Sequence, residues 1–188
     1  MSTTTRNRLE SRYAGITLEG HPHALTAWFV VALRFLMGGM MLFAGLGKFA
    51  FISGESFDAS GFLLHGVDPV SPVSGLYATM ASSAVLLEVI NVVIPVTQVL
   101  IGIALIVGGF LRLAALGGAL QMTAFYLGGW EGELLALFDS TLIYAVLFLA
   151  LAAFGAGRIL GADRYIEGLQ VGGQTLVEKY PKLRYILG

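Results

Sequence analysis

The sequence contains no cysteine. Disulfide staples, thiol–disulfide exchange, thiolate zinc sites and cysteine-ligated iron–sulfur clusters are therefore closed to this chain's own side chains. Histidine is nearly as scarce. His21, His23 and His65 all lie outside the long apolar runs, so two imidazoles cannot hold a haem between helices. Charge is sparse, at 12% of residues. The net charge of −1 comes with no basic block and no basic–aromatic interleaving of the kind that tracks a phosphate backbone, so nucleic acid is not an expected partner. No repeat or low-complexity tract divides the chain, which reads as one domain over residues 1–188.

What is present is apolar. The chain is 56% hydrophobic with a mean hydropathy of +0.80, a composition of multi-spanning membrane proteins rather than soluble domains. Four runs reach the roughly 20 helical residues that a bilayer core demands: 24–52, 83–111, 113–129 and 134–156. The first is too long for a secretory signal, carries Arg34 and Lys48 and follows a mostly polar segment, so it is expected to stay in the membrane. Arg6, Arg8 and Arg12 precede it. Arg112 lies between the second and third runs, and Arg158, Arg164, Lys179, Lys182 and Arg184 follow the fourth. The other two connections carry Glu55, Asp58, Asp68, Glu131 and Glu133, so the positive-inside rule puts both termini in the cytoplasm of a multi-pass cell-membrane protein. Trp28 and Trp130 fall where an aromatic belt would sit. Residues 53–82 are too interrupted by glycine and proline to span and read as an outer cap. Residues 158–188 read as an interfacial tail of two helices separated by Gly172-Gly173. The expected fold is an all-α integral membrane protein: a four-transmembrane-helix bundle with an outer capping loop and interfacial C-terminal helices.

Within the second run, Glu88, Asn91, Pro95, Gln98, Gly102 and Gly109 stack on one helical face. Polar groups at membrane depth cost several kcal/mol each unless they meet partners, so this face should look inward. At 1.5 Å per residue, Lys48, Glu88, Asn91 and Asp139 share an outer layer and Gln98 and Gln121 a middle one, while Arg34 lies in the inner third. Two acids facing one lysine leave one carboxylate without a counter-charge, and such a group can hold and exchange a proton. Glu88, Asp139 and Lys48 are therefore the candidate catalytic residues. Pro95 cannot donate to the Asn91 carbonyl and should bend or interrupt its helix. The structural alternatives are snorkelling for Lys48, a helix-end or lipid-phosphate pair for Arg34, and packing hydrogen bonds for the two glutamines.

The run Arg34-Phe-Leu-Met-Gly-Gly-Met-Met-Leu-Phe-Ala-Gly-Leu-Gly-Lys48-Phe49 resembles the first-helix signature of the DoxX family. The stretch Gln98–Leu116, with Arg112 at its turn, resembles that family's second-to-third helix connection, and Gly157-Arg158 through Gly161-Ala162-Asp163 resembles its ending. The likeness covers most of Leu33 to Ile166. One departure is Gln98, where family members often carry glutamate; a role held by that acid would be lost here or moved to Glu88. The resemblance implies a subunit of a thiosulfate:quinone oxidoreductase or related membrane redox assembly. A quinone would be held by Arg34, Asn91, Gln98, Gln121 and Tyr144, with Phe125 and Met41 lining its slot and Lys48 donating to a carbonyl. No metal or haem is expected on this chain, so electrons would come from a redox partner subunit. Lipids are expected neighbours, and association with a second copy is left open. Two other functions compete: a small proton-coupled transporter, and a non-catalytic membrane scaffold.

Overall fold

The computed structural model describes residues 9–188, so Arg6 and Arg8 lie outside the described residues. The described chain opens with a hairpin of β1 (Leu9–Tyr13) and β2 (Ile16–Gly20), Tyr13 opposite Ile16. Helix α1 (Thr26–Leu46) follows, then a single turn, α2 (Ala50–Ser53). A cap with a wide helical turn (Phe62–Gly66) and α3 (Ser74–Ser82) leads into α4 (Ala84–Val107). A tight turn at Gly108–Phe110 reverses the chain into α5 (Leu111–Gly128), and a 3-10 segment (Leu134–Phe138) enters α6 (Ser140–Ala153). The tail holds α7 (Asp163–Glu167), a second hairpin of β3 (Gln170–Val171) and β4 (Gln174–Thr175), and α8 (Leu176–Lys179).

Small residues let the long helices approach at backbone distance. Along the antiparallel α1–α4 seam, a Cβ placed on Gly102 would lie 2.5 Å from the Leu42 backbone nitrogen, and one on Gly45 would meet Gln98 and Val99 at 2.8–2.9 Å. In the α5–α6 seam, a Cβ placed on Gly118 would lie 2.8 Å from the ring of the fully buried Phe148. Met37, Met41, Leu105, Leu111 and Leu151 fill the space between the two pairs. Helices α4 and α5 meet less closely than either pair. The outward faces are apolar too: Phe29, Leu36 and Phe43, one helical face of α1, are all exposed.

Three helical segments, Thr26–Leu46, Ala84–Val107 and Leu134–Ala153, are long and apolar enough to cross a membrane. The third expected span, 113–129, coincides with α5, whose Arg112, Gln121, Gly117 and Gly118 lower its apolarity below that of the others. The all-helical expectation is corrected at two places. Residues 9–20 alternate Tyr13, Ile16 and Leu18 with charged and hydroxyl side chains around Ala14-Gly15, whose φ values of 50° and 81° make a two-residue hairpin turn. Gly172-Gly173, at φ 70° and 85°, makes the same kind of turn between β3 and β4, so the pair closes a hairpin and is more than a break between helices. The expected interruption at Pro95 is also absent. Helix α4 runs unbroken through the proline, which sits buried against its neighbours.

Candidate functional site

The cap is fastened to the bundle by groups that a polar loop supplies at its turns. The Ala59 N–H donates to Asn91 Oδ1 at 2.7 Å, Tyr77 O–H to the Ala124 carbonyl at 2.8 Å, and the Asp68 N–H to the Gly128 carbonyl at 2.9 Å. Asp58 starts the turn below Ala59. It accepts from the Ser60 hydroxyl at 2.6 Å and the Ser60 N–H at 2.9 Å, and these bonds, with help from the Asn91 amide, hold its carboxyl below the usual 3.8. Burial pushes the Tyr77 phenol up, so it stays a donor at neutral pH.

Beneath the cap lies a cavity of about 430 Å³, within the range of small-molecule sites. Phe57, Phe62, Leu63, Tyr77 and Met80 of the cap form its roof. Ile90 and Ile94 of α4, with Ala124 and Phe125 of α5, form its walls. Phe62 meets Phe125 edge-on at 5.5 Å and Tyr77 at 6.2 Å, which gives the wall a rigid aromatic corner. Lys48 also lines the cavity. Its Nζ donates to the Ala44 carbonyl at 2.9 Å and stands 5.4 Å from the centre of the Phe57 ring. A second recess of about 370 Å³ opens on the other side of Phe57, and Lys48, Asn91 and Pro95 line it together.

The expected outer layer is thus only half gathered. Lys48 and Asn91 share a recess, as their depths indicated. Glu88 does not join them, because it lies in the second turn of α4, where the helix emerges at the cap end, and it is exposed. Asp139 is exposed as well. It caps α6, accepting from the Thr141 N–H at 2.7 Å and from the Thr141 hydroxyl. Its cleft of about 440 Å³, which also carries Glu131 and Glu133, is divided from the cavity by Phe62 and Phe125. Neither acid forms an ion pair with Lys48, so the three-residue proton site expected from depth alone is not assembled.

The remaining sequence candidates lie deeper. Gln98, 2% exposed, packs against Gly45 of α1 with its Oε1 unpartnered. Gln121 reaches from α5 to α4, its Nε2 donating to Thr97 Oγ1 at 3.5 Å, and its Oε1 is also unpartnered. Tyr144 and Phe125 pack against the apolar core from α6 and α5, and Met41 lies within it. Arg34 is roughly 20 Å along α1 from Lys48. It is buried at the opposite end, donating to the carbonyls of Ala156 and Ile159 at 2.8 Å and Leu160 at 3.1 Å. That binding leaves it no role in a site beneath the cap.

Two features were not foreseen from the sequence. The aromatic roof reads there only as an interrupted cap, although Phe57, Phe62 and Tyr77 are spaced along it. Asp163 is the other: it is fully buried and accepts from the N–H groups of Phe110, Leu111 and Gly188 at 2.7, 3.0 and 3.0 Å. Its signal is the Gly161-Ala162-Asp163 run at the start of α7, a position that favours acids. The chain matches no family model, and no curated protein or solved structure is similar enough to count as a match.

Proposed function

We propose that this chain is a DoxX-like, membrane-embedded subunit of a quinone-linked oxidoreductase, and that it holds the quinone ring beneath its cap. The observation that carries the reading is the aromatic cavity that Lys48 helps to line. A quinone is a flat apolar ring with two carbonyl acceptors, so it asks for ring-sized apolar walls and a donor at one edge. Phe57, Phe62, Tyr77 and Phe125 supply the walls. Lys48, which meets a carbonyl and an aromatic face rather than a carboxylate, supplies the donor. When bound, a quinone accepts two electrons and two protons, and the electrons would come from a redox partner subunit. Asp139, open to solvent behind the Phe62–Phe125 wall, is the acid assigned here to supply protons. Arg34, bound at the far end of α1, is not a quinone ligand in this arrangement, and the roles of Gln98 and Gln121 are structural.

In this arrangement α1, α4, α5 and α6 all cross the bilayer, with the cap outside. The unbroken α4 removes the motive for a transport site built on a discontinuous helix. The test is purification in mild detergent followed by solvent extraction and mass analysis. Wild-type protein should yield stoichiometric quinone, and Lys48→Met, which keeps the apolar stem, should retain at least fivefold less. Wild-type protein carrying no quinone, with no redox protein recovered beside it, would overturn the proposal in favour of a scaffold.

A further inference from the structure

The β1–β2 hairpin sorts its side chains by face. In the register that sets Tyr13 opposite Ile16 and Ser11 opposite Leu18, those four share one side, while Glu10, Arg12, Thr17 and Glu19 share the other. The sorting also has a direction along the strands. Glu10 and Glu19 stand towards the open end, and Tyr13, Ala14, Gly15 and Ile16 make an uncharged tip. Among the described residues nothing covers the apolar side: Tyr13 is 85% exposed, Ile16 65% and Leu18 69%. A lone two-stranded hairpin is only marginally stable in water, so this one needs an apolar phase outside the chain.

Two observations identify that phase. The first is the tether. Only residues 21–25 separate the hairpin from α1, and five residues reach about 17 Å at full stretch. Their far end is fixed, because the Leu25 N–H donates to His23 Nδ1 at 3.2 Å and the Thr26 N–H and hydroxyl donate to the His23 carbonyl at 3.0 and 2.7 Å. Helix α1 is long and apolar enough to cross a membrane, and Trp28 and Phe29 stand exposed in its first turn, which puts the membrane–water boundary there. The hairpin is thus held beside the bilayer surface. The second is size. Two strands about 17 Å long and 10 Å across offer a face on the order of 170 Å², against roughly 800 Å² per partner in a stable protein interface. A bilayer asks for no matched area and takes amphipathic elements that carry an aromatic at the boundary.

We infer that the β1–β2 hairpin docks tip-first on the lipid surface beside α1. Tyr13, Ile16 and Leu18 lie among the headgroups and upper acyl chains, Glu10, Arg12, Thr17 and Glu19 face water, and Ser11, nearer the open end, stays within reach of water. The partner is the bilayer itself. The inference requires that α1 crosses and is independent of what the cavity under the cap holds.

The experiment uses the full cysteine-free chain, one copy per lipid nanodisc, with a bimane fluorophore on Ile16→Cys, Leu18→Cys or Thr17→Cys. Phosphatidylcholine carrying a nitroxide high on its acyl chain reports contact with lipid, and iodide reports contact with water. Lipid quenching at positions 16 and 18 should be about threefold stronger than at position 17, and iodide quenching should run the other way. Tyr13→Ser, at an exposed position away from the bundle, should lower lipid quenching at position 18 about threefold. Equal iodide quenching at all three positions overturns the inference. Shielding of positions 16 and 18 from iodide without lipid quenching overturns it too, since the face would then lie against protein, as does lipid quenching that Tyr13→Ser leaves unchanged.

Discussion

A carboxylate with no exposed surface is tolerable only when donors meet its oxygens, and Asp163 finds three in backbone N–H groups. Two of them belong to Phe110 and Leu111, where α5 begins. Phe110 there has φ 52°, a conformation that a bulky residue adopts only when its surroundings hold it. Replacing Asp163 with alanine removes a cap and the restraint on Phe110 and leaves three N–H groups without their acceptor, so Asp163→Ala should cost about 3–5 kcal/mol. Asp163→Asn, which keeps one acceptor oxygen, should cost about half as much. Thermal unfolding in detergent measures both, and equal losses would contradict the capping account. The sequence marks Asp163 only as an acid at a helix start, because its partners are main-chain groups 25 to 53 residues away. The Asp139 cap, by contrast, was written in Asp139-Ser140-Thr141 ahead of an apolar run, and depth arithmetic took it for a membrane carboxylate instead. Lys48 and Asn91 came out as neighbours because both lie near helix ends whose register the turns fix.

Helices were the most legible elements. The apolar runs 24–52, 83–111, 113–129 and 134–156 overlap α1, α4, α5 and α6, with ends that differ by one to six residues, since burial and chain reversal both depend on local spacing. The hairpins were missed because strands of five and of two residues carry too little periodicity to stand out beside charged side chains, although Ala14-Gly15 and Gly172-Gly173 mark both turns. The choice of which glycines serve which seam was also invisible, being a property of pairs. Gly118 and Phe148 are such a pair, with the ring where a side chain on position 118 would go. Gly118→Val should cost about 1–3 kcal/mol by overpacking, and Phe148→Ala about 3–5 kcal/mol by leaving a cavity. In the double variant the valine occupies some of that cavity, so the combined loss should fall short of the sum by at least about 1 kcal/mol. Denaturant unfolding of the four proteins closes the cycle, and simple additivity would show that the two side chains do not share one space.

At the scale of the whole molecule, the open quantity is the number of crossings, and α5 decides it. Its apolarity is the weakest of the four long helices, yet its two ends are tied to opposite ends of the bundle. The Asp163 carboxylate holds its first N–H groups beside Arg34, and the Gly128 carbonyl accepts from Asp68 in the cap. Eighteen residues of helix extend about 27 Å, close to the thickness of a hydrocarbon core. Its packing against both α4 and α6 is the reason to expect a fourth crossing. Its polar groups are sheltered: Gln121 reaches Thr97, and Arg112 donates to the Ala152 and Arg184 carbonyls at the end of the bundle away from the cap. If all four helices cross, residues 11 and 174 share one side, and residues 56 and 131 share the other. If α5 does not cross, residue 131 joins residue 11 and residue 174 moves to the far side. The cysteine-free chain makes this a clean measurement with Ser11→Cys, Ser56→Cys, Glu131→Cys and Gln174→Cys, all at exposed positions. A membrane-impermeant maleimide applied to intact cells should label positions 56 and 131 and reach positions 11 and 174 only after permeabilisation. Labelling of position 174 without permeabilisation would give the chain three crossings and place its arginine-rich tail outside, against the charge bias that set the orientation.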